Sequence, residues 1–297
     1  MNMSFLSKLL YDTVYAVAYR KNGVSESYRV IDTNWRYWYA DPILFQDGDN
    51  LWLFVERMDR IRHKGVISVS KYENGKFGKF QDVLEEKFHL SYPMIFKKDD
   101  SIYMIPETAD SGKVILYKSS AFPKQWKQHR VLLEDCRNVD TNVFFFEGHW
   151  YLLTCEMDAT MGAYTRLKLY GADNIENGII NPIDTYNSNS IFKFDCRGGG
   201  QIYFKDDKCY RPVQCGDEST YGKSLRIDNI KISNGLLISN KEFNINPEGI
   251  NINKHLNITG THTYGQCDDI ELIDIKISTM ANPIVQTLKI MRKLLYY

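Results

Sequence analysis

The 297-residue chain has no surplus charge of either sign: 37 Lys and Arg meet 37 Asp and Glu. That balance removes the electrostatic case for a nucleic-acid binder, which needs a basic face for phosphates. No apolar run approaches the roughly eighteen residues of a membrane-spanning helix. The opening "MNMSFLSKLLYDTVYAVAYRK" is broken by Lys8 and Asp12, unlike the unbroken apolar core of a secretory leader. The six cysteines form no CxxC and no Cys/His pair at zinc-finger spacing, so neither a metal nor a cofactor is expected. Without export they are expected to be reduced and buried, with the cytoplasm as the location. Neither GxxxxGKS/T nor GxSxG occurs. The glycines of "CRGGGQ" (196–201) lack the strand and helix of a dinucleotide fingerprint. Close approach of backbone to a channel or ligand explains them better.

What the chain has in quantity is aromatic residues, 20 Tyr, 15 Phe and 5 Trp, a composition that favours strands. They recur in order. "YADPILFQDGDNLWLFVE" (39–56), "SYPMIFKKDDSIYMIPE" (91–107) and "VDTNVFFFEGHWYLLTCE" (139–156) share one pattern. A lead residue (Asp41, Tyr92, Asp140) is followed after four positions by an aromatic (Phe45, Phe96, Phe144). Seven positions later comes another (Trp52, Tyr103, Tyr151), across the turn formers "DGDN", "KKDD" and "EG". A looser fourth copy, "GGGQIYFKDDKCYRPVQ" (198–214), pairs Tyr203 with Tyr210, and a fifth begins at "GTHTYGQCDDIELIDIKI" (260–277). Short strands at even spacing with turn signals between them predict an all-β protein, and a four-stranded unit repeated five times predicts a five-bladed β-propeller. The expected arrangement is one domain over residues 1–297, with the propeller over about 30–277 and an amphipathic helix over 281–297.

In a propeller the innermost strand of each blade lines the central channel, so lead residues distant in sequence converge. Asp41, Tyr92, Asp140 and His262 are expected to share a pocket, with Gly199 leaving room at the fourth blade. Two carboxylates across a glycosidic bond, about 6.5–9.5 Å apart for inversion or about 5–5.5 Å for retention, are the equipment of glycoside hydrolysis. Asp41 and Asp140 are candidates for that pair. Glu56, Glu107 and Glu156 each end an apolar strand, where a carboxylate needs a partner or water. Arg57, Arg166 and Arg211 are candidate partners. His89, Arg211, Gln214 and Tyr221 are further polar groups able to grip sugar hydroxyls. In the tail, Ile284, Leu288, Met291 and Leu295 fall at helical spacing beside Lys289, Arg292 and Lys293. That helix is expected either to pack on the propeller or to touch an anionic membrane peripherally.

The same stretches carry a resemblance. "ADPILF", "LWLFVE", "GVISVS", "FHLSYPMIF", "IYMIPE", "VDTNVFF", "YRPVQ", "YGKSLRI" and "GTHTY" resemble, in order, the N-terminal domain of plant glucosamine inositolphosphorylceramide transferases and its bacterial relatives. That domain is similar in turn to the five-bladed propellers of family-43 and family-32 glycoside hydrolases. The resemblance implies a glycan or other sugar-containing partner and a setting in surface-polysaccharide synthesis. It matches Asp41 to a first-blade general base and Asp140 to a third-blade residue that tunes and orients. The fourth-blade general acid is not matched, because its place falls at Arg197 and the following glycines. Glu107 or Glu156 then remains as the acid. Glycosidase-type processing, a non-catalytic glycan-binding or scaffold module, and a glycosyltransferase are the three functions implied.

Overall fold

The computed structural model describes residues 10–21, 26–31, 33–157, 165–217 and 220–295. They form five antiparallel sheets arranged as a five-bladed propeller. The first blade runs Tyr37–Asp47, Asn50–Asp59 and Lys64–Glu73, with Lys76–Phe77 and Gln81–Leu84 outermost. The second is Ser91–Lys98, Ser101–Glu107, Val114–Ala121 and Gln125–Leu133. Asn138–Phe146, His149–Met157 and Thr165–Ala172 make the third, edged by Asn181–Pro182 and Phe192–Lys193. The fourth is Tyr203–Lys205, Lys208–Asp217, Thr220–Ser233 and Leu236–Ile245.

The fifth blade departs from the expected boundaries. Ile258–Gly260 and Tyr264–Cys267 pair with Ile270–Met280, whose other edge takes the N-terminal strand Tyr11–Lys21 in register from Tyr11–Met280 to Lys21–Ile270. The propeller therefore draws on residues well before 30. A ring of sheets needs its first and last blades tied, and here the start and finish of the chain share one sheet.

The aromatic repeat is a cross-strand device. Phe45 faces Trp52, Phe96 faces Tyr103, Phe144 faces Tyr151 and Tyr203 faces Tyr210 across the inner hairpins. The last three pairs stack, with centroids 5.3–5.5 Å apart. Tight turns follow the same logic. Glu147-Gly148, Asn74-Gly75 and Asn234-Gly235 place both residues at positive φ, as two-residue hairpins with right-handed twist require.

Strands this apolar would be unusual in an exposed sheet. In "LWLFVE", Leu53 points into the cluster between blades five and one, with Val17 and Leu272, while Phe54 points into the cluster between blades one and two, with Ile95 and Met104. Both faces of each blade are buried, so alternation gives way to continuous hydrophobicity. The helix Pro283–Leu295 ends the described chain; Asn282 Oδ1 caps it by accepting from the N–H groups of Ile284 (3.0 Å) and Val285 (3.3 Å).

The inner strand of blade one enters at Tyr37, opposite Asp59, and leaves at the Asp47–Asn50 turn. The entry end carries the 59–64 turn, Met280 and the helix; the exit end carries the hairpin turns at 48 and 148.

Candidate functional site

The lead residues are set apart from their strands by a shared backbone irregularity. Asp41, Tyr92 and Asp140 have φ of 49°, 44° and 50°, and each begins a bulge in its inner hairpin, between Ala40 and Ile43, Ser91 and Met94, and Val139 and Asn142. Left-handed conformations are costly for such residues and cluster at sites that the surrounding fold over-determines. Pro42 and Pro93 sit in these bulges, where no ladder N–H is owed.

Asp41 is buried and ties three blades together. Its Oδ1 accepts from Thr263 Oγ1 at 3.1 Å, its Oδ2 from the Tyr92 N–H at 3.1 Å, and its own N–H donates to Asp274 Oδ2 at 3.2 Å. Burial raises its pKa to about 6, reinforced by Asp140 and Asp274 and opposed by His262. His262 Nδ1 lies 2.5 Å from Asp274 Oδ2 and 3.9 Å from Asp41 Oδ1. Burial works against the imidazolium, but Asp274 and Asp41 outweigh it and raise the His262 pKa. Tyr15, from the N-terminal strand, stacks on the imidazole at 4.5 Å.

Asp140 is held differently. Arg197 Nε donates to its Oδ2, Arg197 Nη2 to its Oδ1 at 3.3 Å, and Gln214 Nε2 to its Oδ2 at 3.2 Å. Arg197 Nη2 also reaches Glu107 Oε2 at 3.2 Å. Glu107 therefore joins the channel cluster. Burial pushes its pKa well above the usual carboxylate range, against Arg197 and with help from Asp140 and Asp41. Glu56 is raised in the same way, by burial first and then by Asp41, Glu107 and Asp274. Its partner is not one of the three arginines expected but His89, whose Nε2 lies 3.3 Å from Glu56 Oε1. His89 Nδ1 accepts from the Gly65 N–H at 3.0 Å, so the neutral ring must carry its proton on Nε2, facing Glu56. Burial lowers the His89 pKa.

Several expected site residues lie elsewhere or do other work. Tyr92 is a strut rather than a ligand contact. It is fully buried, its hydroxyl donates to Gly200 O at 2.6 Å, and it accepts from Asn142 Nδ2 (2.7 Å) and the Gly200 N–H (3.2 Å). Glu156 is bound to Arg166 at 2.7 Å and approaches Lys168 at 3.8 Å on the third blade, outside the channel cluster. Arg211 is buried facing away from the channel, with Nη2 on Cys196 O. It lines a cavity of about 590 Å³ between blades three and four with Arg226, Asp195 and Tyr186. Arg57 pairs with Asp82. Tyr221 lies in a fourth-blade strand, but its side chain is outside the described residues. Gln214 is in the cluster, and its Oε1 is buried with no hydrogen-bond partner among the described residues.

Asp274, Asn142 and Thr263 escaped the sequence pattern. Asp274 belongs to a fifth blade whose inner hairpin is shorter, so its offset from His262 differs from the fifteen residues separating Asp41 from Glu56. A lone Asp inside "IELIDIKI" was the available signal. Asp41, His262 and Asp274 each offer a ligand atom within 4.8 Å of the others, as a metal site would require. Both Asp274 oxygens are, however, already engaged with the N–H groups of Asp41, His262 and Thr263 and with His262 Nδ1.

The family model described as "Glucosamine inositolphosphorylceramide transferase 1, N-terminal" matches residues 23–263. Glucosamine inositolphosphorylceramide transferase 1 of Oryza sativa subsp. indica is 30% identical over 203 residues, covering 65% of this chain and 26% of the rice protein. The Arabidopsis thaliana protein of that name is 30% identical over 205 residues, covering 65% and 25%. The chain thus spans about a quarter of the length of these curated relatives. Among solved structures, an exo-beta-1,3-galactanase from Phanerochaete chrysosporium with galactose superposes with TM-score 0.54 at 10% identity, over 72% of this chain and 52% of that one. A GH43 protein from Bacillus licheniformis gives 0.52 at 11%, over 74% and 47%. At such identities the likeness concerns the fold.

Proposed function

We propose, for a chain that belongs to the family of glucosamine inositolphosphorylceramide transferase N-terminal domains, that the channel cluster processes a glycan by glycosidase-type acid–base chemistry. The observation that carries this is the environment of Glu107 and Asp41 in one buried cluster. Glu107 is raised well above an ordinary carboxyl, while Asp41 is raised to only about 6. Their environments favour the protonated form at Glu107 more than at Asp41, the direction of separation between acid and base that a two-carboxylate mechanism needs.

In this account Glu107 protonates the leaving oxygen and Asp41 draws the proton from the attacking hydroxyl. Asp140 and Arg197 orient the acid and the sugar. Gln214 Oε1, buried and without a partner among the described residues, offers an acceptor for a sugar hydroxyl. If the attacking hydroxyl belongs to a second sugar or lipid rather than to water, the same groups perform glycosyl transfer. A reducing compartment, the cytoplasm, belongs to the same proposal, supported by six unpaired cysteines.

A second reading, a glycan-binding or scaffold module, is favoured by one specific observation. Arg197 clamps both Asp140 and Glu107, and both Asp41 oxygens already accept hydrogen bonds. The two readings separate in a turnover assay over a panel of glycans and sugar nucleotides. Glu107→Gln and Asp41→Asn are each expected to lower kcat by about 10²–10⁴ while the substrate still binds. Binding with no turnover by any form of the protein would leave the scaffold; a glycan turned over equally by both variants would remove these residues from the chemistry.

A further inference from the structure

The helix Pro283–Leu295 does not hide its apolar side. Val285 is fully buried against the propeller, Lys289 reaches Asp12 at 3.5 Å, and Arg292 donates to Ile61 O and Arg62 O. Those three contacts fix which side faces inward. The opposite side presents Ile284, Ile290, Met291 and Leu294, at 59%, 57%, 51% and 74% exposed. At 3.6 residues per turn, these positions form one stripe.

The stripe continues beyond the helix. Met280, 78% exposed, pairs with the exposed Tyr11 at the end of the fifth blade, and Ala281 donates its N–H to the carbonyl of exposed Leu10. Trp35 is about half exposed, and its carbonyl accepts from Arg60, which also holds Asp12 at 2.7 Å. One end of the propeller therefore bears a contiguous set of large exposed apolar groups. The helix carries no acidic residue, Arg292 stays exposed where it meets the propeller, and the side chain of Arg62 in the adjoining 59–64 turn is 64% exposed. Apolar outward, basic at the flanks and an indole nearby is the chemistry of an element lying in a lipid interface rather than spanning it. Among the described residues no helix is long and apolar enough to cross a membrane.

We propose that this surface seats the propeller on an anionic lipid bilayer, and that it does so with the entry end of the channel toward the membrane. The orientation follows from register. The 59–64 turn, Met280 and the helix lie at the end where the inner strands begin, the end that carries Glu56 and His89. A substrate presented at a lipid surface would meet the channel from that side. Binding to lipid needs no glycan, so this inference stands or falls separately from the function proposed above.

Vesicle flotation of the full chain tests it, with phosphatidylcholine vesicles compared with vesicles that also contain phosphatidylglycerol. The chain is expected to float with the anionic vesicles and to be released as salt is raised. The double variant Ile290→Glu/Leu294→Glu changes only exposed side chains, so its thermal melt should match the parent; its floated fraction should fall by about tenfold or more. Phe145→Glu, an exposed aromatic at the opposite end, should float like the parent. Parent protein that stays unbound to anionic vesicles overturns the proposal. So does unchanged flotation of the double variant, or a dimer in sedimentation velocity that the double variant dissolves while no flotation occurs.

Discussion

At the residue scale, the lead positions divide into groups that present chemistry and groups that hold blades together. Tyr92 belongs to the second kind. Its hydroxyl satisfies Asn142 Nδ2, Gly200 O and the Gly200 N–H in a buried place, so Tyr92→Phe leaves polar groups unpaired. A loss of about 1–3 kcal/mol in a denaturant melt is expected; a neutral change would mean the hydroxyl is not the hub. His89 makes a pH-dependent contribution. Gly65 donates to Nδ1, and burial lowers the pKa, so the folded chain binds fewer protons here than the unfolded chain. The His89 contribution is present above about 6.5 and is lost as pH falls through the folded value. Nuclear magnetic resonance titration of the His89 ring should give a midpoint below that of an exposed histidine; one above it contradicts the assignment. Asp41 and Asp140 were legible as lead residues because they recur at equal offsets. Glu156 stands one position off the register of Glu56 and Glu107 in the sequence, with Cys155 at the matching place, and the strand pairing shows what that shift does. Glu107 ends a strand at the lead residue's neighbour Ser91, whereas Cys155 takes the corresponding inward place in the third blade and turns Glu156 outward to Arg166.

At the element scale, the repeat was readable because each aromatic pair is a local cross-strand contact, fixed by a hairpin only a few residues long. The closing strand Tyr11–Lys21 was not readable in the same way, since its partner lies some 260 residues away. Deleting residues 1–21 should remove the cooperative thermal transition, because the long edge of Ile270–Met280 and the apolar cluster of Val17 and Leu272 would be exposed. A truncated chain that melts like the parent would show that the ring closes without it. The "RGGG" stretch is the second element-scale case. Gly200 has φ of 132°, and a Cβ there would lie 1.9 Å from Tyr264 O. Gly200→Ala is therefore expected to cost about 3 kcal/mol or more. Close packing of the fourth-blade connection, rather than a ligand, accounts for that glycine, and the same connection carries Arg197 into the cluster.

At the scale of the whole molecule, the balanced charge conceals a concentrated field in the channel. Five carboxylates, Asp41, Glu56, Glu107, Asp140 and Asp274, share the centre with Arg197 and His262. Burial raises Asp41, Glu56 and Glu107, so between pH about 4 and their folded values the folded chain binds more protons than the unfolded chain. Stability falls as pH rises through that window. At Asp59 and Asp228 hydrogen bonds outweigh burial and lower the pKa, so their contribution is lost as pH falls. The denaturation midpoint should peak near pH about 4 and decline above it, and Glu107→Gln should flatten that decline toward pH 8. An unchanged slope would place Glu107 in an ordinary environment.

The most direct test of the central claim is a crystal structure of the Glu107→Gln variant with a glycan that the wild-type chain processes. The sugar should lie in the channel, with its glycosidic oxygen within about 2.6–3.2 Å of the side chain at position 107 and the attacking side facing Asp41. A glycan bound instead in the cavity between blades three and four, with the channel cluster untouched, would contradict it.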